Sequence, residues 1–433
     1  MTSRFSATLL VLCAAAAPAG AAILKGPYLQ DLTQTSVRVR WETDSGTDSR
    51  VDYGTTDSYG SSVTGTAATV THSGTTRYVH SLQITPLSAD TTYHYKTTTG
   101  AFSSADHTVR AALTAATPFR FAAYGDNRSN APEHQLLTEA ILASSPSPRI
   151  VLNVGDLCYD GDTYSYWASE FFTPAAALLY EVPLYVAIGN HDKSTWVNDY
   201  LYFPNAPNRW YSFDIGNAHF AVLDTEASYT VGSAQYTWLD ADLSATAQDW
   251  VFVMFHYPAY SSGMHGGYAA VQANLVPLLE SHGVDMVFNG DDHLYERSLK
   301  AGVNYVVTGG GGAPLYAINQ NPNPYQVYAE TTYEFCTVDL SDTTLLLQGR
   351  YGTGVVFDFL SLGAGDADGD GYSDAAEIRC EGDPADAAVH PAAVKVNFQP
   401  SNKTRPDGFA ADSCATFGAS GTNGISGYGW VAP

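Results

Sequence analysis

Short segments in which apolar and polar residues alternate follow one another along residues 26–115. Ser36–Trp41 and Thr92–Lys96 are examples, and they are rich in Val, Thr or Tyr. Turn residues separate such segments at intervals of about ten residues, a spacing typical of β-sandwiches. The pattern therefore predicts an amino-terminal all-β sandwich, and no group of candidate catalytic side chains occurs in it.

The pattern changes at Thr117–Pro118. From there to about Leu362, longer amphipathic segments, such as Pro132–Ser144, Gln235–Ser244 and Tyr268–His282, alternate with apolar runs. These runs are Phe119–Ala123, Ile150–Val154, Leu184–Ile188, Phe220–Leu223, Trp250–Phe255, Asp285–Phe288 and Tyr305–Val307. Runs that are apolar on both faces indicate strands covered by helices, and hence an α/β domain whose polar ligands collect at the carboxyl ends of the strands. Thr332–Leu340, Thr343–Tyr351 and Val355–Leu360 are predicted to close this domain as antiparallel strands.

Length and charge narrow the possible functions. A chain of 433 residues is too long for one hydrophobic core, so we expect two or three domains. Lys and Arg number 20 against 44 Asp and Glu, a net charge of −24. Such a surface repels a long phosphodiester polymer unless metal ions supply local positive charge. A nucleic-acid scaffold role is therefore not expected.

The amino terminus has the pattern of a secretory signal. Arg4 precedes the apolar run Phe5–Ala17, and the small residues Ala19–Ala21 provide a cleavage site. The apolar run is too short to span a bilayer, so we expect a secreted or periplasmic protein without a membrane span. Cys13 is removed with this signal.

The remaining cysteines lie in a compartment where disulfides persist. We expect Cys158 and Cys336 to be buried small hydrophobic residues, with a special role as the alternative. Cys380 and Cys414 lie in a Gly- and Asp-rich tail with few apolar residues, where a cross-link stabilises most. We expect these two to form a disulfide.

Polar side chains follow five of the apolar runs. The turns are Gly125-Asp126, Gly155-Asp156 with Tyr159 three residues later, Gly189-Asn190-His191, His256-Tyr257-Pro258, and Gly290-Asp291-Asp292-His293. Each glycine lets the backbone turn sharply, so that the next side chain faces the site. A single Gly-Asp is usually only a turn, but this set supplies the oxygen and nitrogen ligands that a pair of Lewis-acid metal ions requires.

The order of these motifs resembles that of the purple acid phosphatases, members of the calcineurin-like metallophosphoesterase superfamily. The resemblance covers residues 24–362, and the preceding fibronectin type III-like sandwich matches their architecture. It implies that the first metal ion is held by Asp126, Asp156, Tyr159 and His293. Asp156 bridges to a second ion, which Asn190 and His256 also hold, and His191 contacts the substrate phosphate.

The resemblance also implies an activity. We expect a binuclear phosphatase that hydrolyses phosphate monoesters of small substrates by attack of a metal-bound hydroxide. Fe³⁺ is expected in the first site, where Tyr159 gives a charge-transfer colour, with Zn²⁺, Mn²⁺, Fe²⁺ or Mg²⁺ in the second. Two alternatives are a phosphodiesterase with the same site and a noncatalytic extracellular adhesion or carbohydrate-binding protein with a degenerate site.

Two features depart from the family pattern, which has Gly-His-x-His and, in the plant enzymes, a pair of histidines as proton donor. Asp291 stands where the pattern has the first histidine of Gly-His-x-His, so the second metal ion gains a carboxylate ligand in place of an imidazole. Alternatively, Asp291 points away from the metal ions, or Asp292 takes its place as the ligand. His265 is the one histidine offered as proton donor to the leaving group, with a solvated loop histidine as the alternative. Arg128 is a candidate bidentate phosphate clamp, with an ordinary surface arginine as the alternative. Gly309–Gly312 is expected to be a turn near the metals.

The tail beyond Gly363 carries a predicted calcium loop. Its oxygen ligands have EF-hand spacing, with Gly371 at position six, and the loop positions are Asp366, Asp368, Asp370, Tyr372, Asp374 and Glu377. The loop resembles the EF-hand-like or thrombospondin type 3-like repeats that link modules in secreted bacterial proteins. Val396–Pro400 and Gly427–Trp430 look like the start of a truncated malectin-like domain, which implies possible contact with cell-surface carbohydrate. The expected domain limits are 1–22, 23–116, 117–362, 363–390 and 391–433.

Overall fold

The computed structural model describes residues 22–114, 117–341 and 343–363, together with two short paired strands, Val396–Asn397 and Ala410–Ala411. The predicted signal segment up to residue 21, the calcium loop and Cys380 and Cys414 lie outside the described residues, as does nearly all of the malectin-like segment. Among the described helices, none is long and apolar enough to cross a membrane.

Residues 22–114 form the predicted β-sandwich. One sheet has the strand order β1-β2-β6-β5, and the other has the order β4-β3-β7-β8 with β9 also paired to β7. The strands are β1 (Ile23–Gln30), β2 (Val37–Thr43), β3 (Asp48–Gly54), β4 (Ser61–Thr66), β5 (Ala68–His72), β6 (Thr75–Ile84), β7 (Thr92–Thr99), β8 (Phe102–Ser103) and β9 (His107–Arg110). Trp41 of β2 lies between the sheets, where it stacks on His80 and donates a hydrogen bond to Thr99 of β7.

The following part of the chain is the predicted α/β domain. Its strands are β10 (Phe119–Tyr124), β11 (Val151–Asn153), β12 (Leu184–Val186), β13 (Tyr211–Ile215), β14 (Ala218–Val222), β15 (Trp250–Met254), β16 (Met286–Asn289), β17 (Tyr295–Lys300), β18 (Val303–Thr308), β19 (Gln326–Glu330), β20 (Glu334–Leu340), β21 (Thr344–Tyr351) and β22 (Val356–Gly363). Its helices are α1 (Ala131–Ala143), α2 (Tyr164–Tyr166), α3 (Ala176–Glu181), α4 (Val197–Tyr200), α5 (Ala234–Ala245), α6 (Ala269–Asn274) and α7 (Val276–Ser281), with a π-helical turn at Trp167–Phe172 and a 3-10 turn at Asn190–Asp192. The predicted core strands are all present, with ends that differ by at most two residues.

These strands form two mixed sheets that pack face to face, in the orders β12-β11-β10-β20-β21-β22 and β13-β14-β15-β16-β18-β17-β19. Successive side chains of a strand point to opposite faces. Phe252 of β15 accordingly packs edge to face on Phe121 of β10, whereas its neighbour Val253 joins a second core with residues of α5, α6 and α7. The apolar runs are therefore buried on both faces, on one side by the other sheet and on the other by helices.

One predicted helix is interrupted. The segment Tyr268–His282 forms α6 and α7, with Leu275 between them and Pro277 in the first turn of α7. Proline has no backbone N–H and favours a first helical turn, so it ends the first helix and begins the second.

The two domains share a continuous core and buried polar contacts. The Tyr28 hydroxyl of β1 donates to the carbonyl of Tyr200 at 2.5 Å, and the Tyr95 hydroxyl of β7 donates to the carbonyl of Tyr180 at 2.6 Å. Buried hydroxyls need such partners, and these partners come from the other domain. The sandwich is thus packed directly against the α/β domain.

Candidate metal centre

Three aspartates lie where β10, β11 and β16 end, and each has a left-handed backbone. The φ angles are 53° at Asp126, 57° at Asp156 and 67° at Asp291. Non-glycine residues in this region are strained, and such strain is concentrated at functional sites. We expected the preceding glycines to make these turns. Of those three glycines only Gly155 has a positive φ, so at the other two turns the aspartate itself reverses the backbone.

The glycines are required mainly because the turns approach one another closely. A Cβ atom on Gly189 would stand 2.2 Å from Oδ1 of Asp156, and one on Gly290 would stand 2.3 Å from Oδ2 of Asp126. Contacts below 3.0 Å do not occur for real side chains, so any larger residue displaces a carboxylate. Gly189 and Gly290 therefore each make room for a ligand that comes from another motif.

Asp126, Asp156 and His256 form the centre of the site, since each offers a ligand atom within 4.8 Å of the others. His256 donates a hydrogen bond from Nδ1 to the carbonyl of Val154, so Nε2 faces the site. Nε2 lies 3.4 Å from Oδ1 of Asp156 and 3.0 Å from Oδ1 of Asn190. Burial lowers the pKa of His256, but the surrounding carboxylates outweigh it and raise the pKa to about 9. The pocket thus favours positive charge.

His293 also faces the carboxylate of Asp126. Its Nδ1 donates to the carbonyl of Pro314 at 2.6 Å, and its Nε2 lies 3.7 Å from Oδ1 of Asp126. Burial lowers the pKa of His293 to about 4, so the ring is neutral at pH 7 and Nε2 carries a lone pair. Oriented histidines of this kind, which donate their other N–H to a carbonyl, are typical metal ligands.

Oδ1 of Asp126 is buried and has no hydrogen-bond partner in the described part of the chain. Buried carboxylate oxygens are almost always paired, so an unpaired one requires an explanation. Burial raises the pKa of Asp126 well above its usual value. The charge of His256 lowers this pKa, and the charge of Asp156 raises it further. A cation beside this oxygen would pair it and keep the carboxyl ionised. The donor set therefore fits a metal site.

Asp291 and Asp292 have different partners. Oδ1 of Asp291 lies 3.7 Å from Nε2 of His256, and Oδ2 accepts a hydrogen bond from the Tyr268 hydroxyl at 2.8 Å. Asp292 instead accepts hydrogen bonds from the Ser261 hydroxyl and from the backbone N–H groups of His265 and Gly266. Asp291 is therefore the carboxylate that joins the ligand group, and Asp292 supports the adjacent loop.

Arg128 and His191 lie beside Asp156. The Arg128 side chain, only 11% exposed, donates from Nε to Oδ2 of Asp156 at 3.2 Å and from Nη2 to Nε2 of His293 at 3.4 Å. His191 donates from Nδ1 to the carbonyl of Tyr159, which leaves Nε2 at 3.9 Å from Oδ2 of Asp156. Arg128 therefore places donor atoms at the mouth of the site, and His191 places Nε2 there.

Tyr159 is less integrated than its predicted role as a ligand requires. Its side chain is 51% exposed, its ring lies 5.6 Å from that of His191, and within the described residues its hydroxyl has no hydrogen-bond partner. The Arg128 guanidinium lies 5.9 Å from the ring centre of Tyr159 and also contacts the carboxylate of Asp156. The structure thus brings Tyr159 to the rim of the ligand group and not into it.

His265 and the Gly309–Gly312 segment border the site as expected. Tyr316 stacks on His293 at 4.0 Å and meets the His265 ring edge to face at 5.5 Å, so His265 is near the ligand group. The backbone of Gly311 donates to the carbonyl of Gly125 at 2.9 Å, and a Cβ there would stand 2.2 Å from that oxygen. This segment is a close-packed turn beside the first aspartate.

Sequence reasoning assigned no role to Asp192, which is fully buried. Its carboxylate accepts hydrogen bonds from the backbone N–H groups of Asp156, Leu157 and Gly189 at 2.8–3.1 Å. Burial and the charge of Asp156 raise the pKa of Asp192 to about 7. Asp192 thus ties two ligand turns together. Its position directly after Asn190-His191 was the available signal.

Comparison with known proteins agrees with this architecture. The sequence model of the calcineurin-like phosphoesterases matches residues 119–295, and that of the purple acid phosphatase N-terminal domain matches residues 27–111. Purple acid phosphatase 18 of Arabidopsis thaliana is 28% identical over 301 residues, which cover 61% of this chain and 66% of that protein. Probable inactive purple acid phosphatase 9 of the same plant is 26% identical over 225 residues, which cover 42% and 34%. The chain therefore spans between about a third and two thirds of these relatives.

The fold is also similar to that of a solved structure. A purple acid phosphatase from yellow lupin (Lupinus luteus) seeds superposes with a TM-score of 0.68 at 20% identity, and the match covers 78% of this chain and 74% of the lupin chain. At this identity the similarity concerns the fold alone. It includes a β-sandwich followed by an α/β domain.

Proposed function

Since the chain belongs to the calcineurin-like phosphoesterases and has the domain arrangement of purple acid phosphatases, we propose that it is a metal-dependent phosphatase that hydrolyses phosphate monoesters. One observation carries the proposal. Asp126, Asp156 and His256 converge within 4.8 Å, and the buried Oδ1 of Asp126 has no other partner among the described residues.

The ligand sets follow from which side chains face each other. Asp126, Asp156 and His293, with Tyr159 at the rim, would hold the first ion. Asp156, Asn190, His256 and Asp291 would hold the second. Fe³⁺ in the first site and Zn²⁺, Mn²⁺, Fe²⁺ or Mg²⁺ in the second remain the predicted metals. Two such ions neutralise phosphate charge and lower the pKa of a bound water molecule.

The surrounding side chains bind and orient the substrate. Arg128 and His191 lie on the Asp156 side of the site. The guanidinium of Arg128, and Nε2 of His191 when its ring is protonated, can donate hydrogen bonds to phosphate oxygens and stabilise the charge that develops on them during transfer. His265, on the loop that Asp292 supports, can donate a proton to the leaving alkoxide. A shallow cleft of about 240 Å³ beside Tyr159 and His191, with Lys193 at its edge, can admit a small phosphorylated substrate.

The proposed setting is extracellular or periplasmic, supported by the signal-like Met1–Ala22 segment. The calcium loop at Asp366–Glu377 and a carbohydrate-binding tail stay predictions. The second candidate is a noncatalytic protein that keeps the fold, and the match to a relative named as probably inactive favours it. A phosphodiesterase with the same ligands is the third.

Metal analysis and turnover on one purified sample test these candidates. We expect two metal ions per chain and hydrolysis of an aryl phosphate monoester faster than of a bis-aryl diester. Asp156→Ala should lose at least one ion and about 10²–10³-fold of turnover, because both ions share that carboxylate. The control Asp240→Ala changes an exposed aspartate whose hydrogen-bond partner is His282 and not a ligand, so it should change neither property. Bound metal without turnover of either ester would favour the noncatalytic protein, and full activity in Asp156→Ala would contradict the binuclear site.

A further inference from the structure

Asp291, the carboxylate that departs from the family pattern, has a dedicated partner outside the ligand group. The Tyr268 hydroxyl donates to Oδ2 of Asp291 at 2.8 Å, whereas Oδ1 faces Nε2 of His256 at 3.7 Å. Asp291 is only 6% exposed, so water is largely excluded from this carboxylate. One oxygen is thus directed to the tyrosine and the other to the metal site.

Tyr268 is itself held on two sides. Its backbone N–H donates to the carbonyl of Pro258 at 2.9 Å, and its ring stacks on that of Tyr257 at 4.5 Å. Tyr257 directly follows His256, and its own hydroxyl donates to Glu226 at 2.5 Å. The position of the Tyr268 hydroxyl is therefore fixed by the same turn that carries the histidine ligand.

We propose that Tyr268 is a positioning residue that holds Asp291 as a single-oxygen ligand and thereby sets which cation the second site prefers. This inference rests on the proposed binuclear function. A carboxylate with both oxygens free binds large Ca²⁺ through both of them, whereas Zn²⁺ prefers few ligands at short distance. A hydrogen bond on Oδ2 opposes two-oxygen binding and withdraws charge from the carboxylate. Tyr268 therefore makes Asp291 act more like the neutral imidazole that the family pattern has there.

The test removes one hydroxyl and measures cation binding directly. Metal-free Tyr268→Phe and wild-type protein are titrated with Zn²⁺ and Ca²⁺ by calorimetry, without substrate. We expect the preference for Zn²⁺ over Ca²⁺ at one of the two sites to fall by about 10-fold or more, the size of effect that partners of metal ligands have. Tyr257→Phe removes the neighbouring hydroxyl in the same stacked pair but does not touch Asp291, so it should keep the wild-type ratio.

A second pair of variants shows whether the effect passes through Asp291. In an Asp291→Ala background, Tyr268→Phe should no longer change the ratio, because a residue that acts through another has no effect once that residue is absent. An unchanged ratio in Tyr268→Phe, an equal change in Tyr257→Phe, or the same change without Asp291 would each overturn the inference while leaving the binuclear site intact. Wild-type protein that binds neither cation would overturn both. Melting curves check that each variant is folded.

Discussion

The backbone N–H of Asp291 donates a hydrogen bond to Oδ2 of Asp126 at 3.0 Å, although 165 residues separate the two. The first and last ligand turns of the site are thereby tied to each other through a backbone donor and a side-chain acceptor. Because one oxygen of Asp126 is satisfied in this way, its other oxygen is the one left for a cation. The geometry of the site thus depends on backbone contacts between turns as well as on the ligands themselves.

Tyr159 gives a spectroscopic prediction. If Fe³⁺ occupies the first site and Tyr159 turns inward to bind it, the loaded protein should have a broad visible absorption band that Tyr159→Phe abolishes. Since the side chain is half exposed, the substitution should leave the melting temperature nearly unchanged. Tyr166→Phe is the control: the centre of the Tyr166 ring lies 5.8 Å from that of Tyr159, and this variant should keep the band. A band that survives Tyr159→Phe would remove this residue from the ligands.

Gly290 gives a prediction about the space beside the Asp126 carboxylate. In Gly290→Ala the new methyl group would meet Oδ2 of Asp126 at 2.3 Å, so the carboxylate must move. We expect loss of bound metal and a destabilisation of about 1–3 kcal/mol in denaturant unfolding. Gly352→Ala is the control, because its new Cβ would lie 3.4 Å from the nearest atom, in Leu137, which is an ordinary contact distance. This variant should keep the wild-type metal content and stability. Normal metal content in Gly290→Ala would show that the site tolerates displacement of Asp126.

Asp291→His restores the residue of the family pattern. Replacing a carboxylate by a neutral imidazole removes an anion from the second site, which raises the Lewis acidity of its ion and favours Zn²⁺. We expect the pH optimum of ester hydrolysis to move toward acid by roughly one unit. Asp292→Asn changes the carboxylate that accepts hydrogen bonds from the loop of His265 and Gly266, and not a ligand, so it should keep the metal preference. If neither metal preference nor pH profile changes in Asp291→His, Asp291 is not a ligand.

His219 gives a prediction about stability that does not involve the metal centre. It lies between Asp214, at 2.8 Å from Nδ1, and Asp242 of α5, at 3.0 Å from Nε2. Burial lowers the pKa of His219, but the hydrogen bonds and charges of these two aspartates outweigh burial and raise it from 6.5 to about 9. The folded state therefore binds the proton more tightly than the unfolded state does.

The resulting stabilisation, roughly 2–4 kcal/mol, is complete below pH 6.5 and is lost as the pH rises toward 9. Denaturant unfolding at pH 6 and pH 9.5 should show this loss in the wild type and much less of it in His219→Gln. His282→Gln, which changes a histidine paired with exposed Asp240, should retain the wild-type pH dependence. An equal loss in His219→Gln would assign the pH dependence to other groups.

Much of the fold and part of the site could be predicted from local pattern. The apolar runs identified the core strands because burial on both faces requires uninterrupted apolar residues. The Gly-Asp and Gly-Asn turns identified ligands because polar side chains at the carboxyl ends of neighbouring strands must come close together. The break between α6 and α7 was missed because the amphipathic pattern of Tyr268–His282 runs through Pro277, although a proline in the middle of such a segment favours the start of a new helix.

Local sequence pattern is therefore enough to predict the order of the domains and the residue types at one edge of the sheets. Which atoms meet there depends on the tertiary fold. It directed Asp291 toward His256 and Asp292 toward the loop, left Tyr159 at the rim, and brought Asp192 and Tyr268 to support ligands from distant segments. Adjacent residues such as Asp291 and Asp292 have the same chemistry, and their roles differ because one backbone torsion turns their side chains in different directions. That torsion depends on the packing of turns that are far apart in the chain, which no local pattern records.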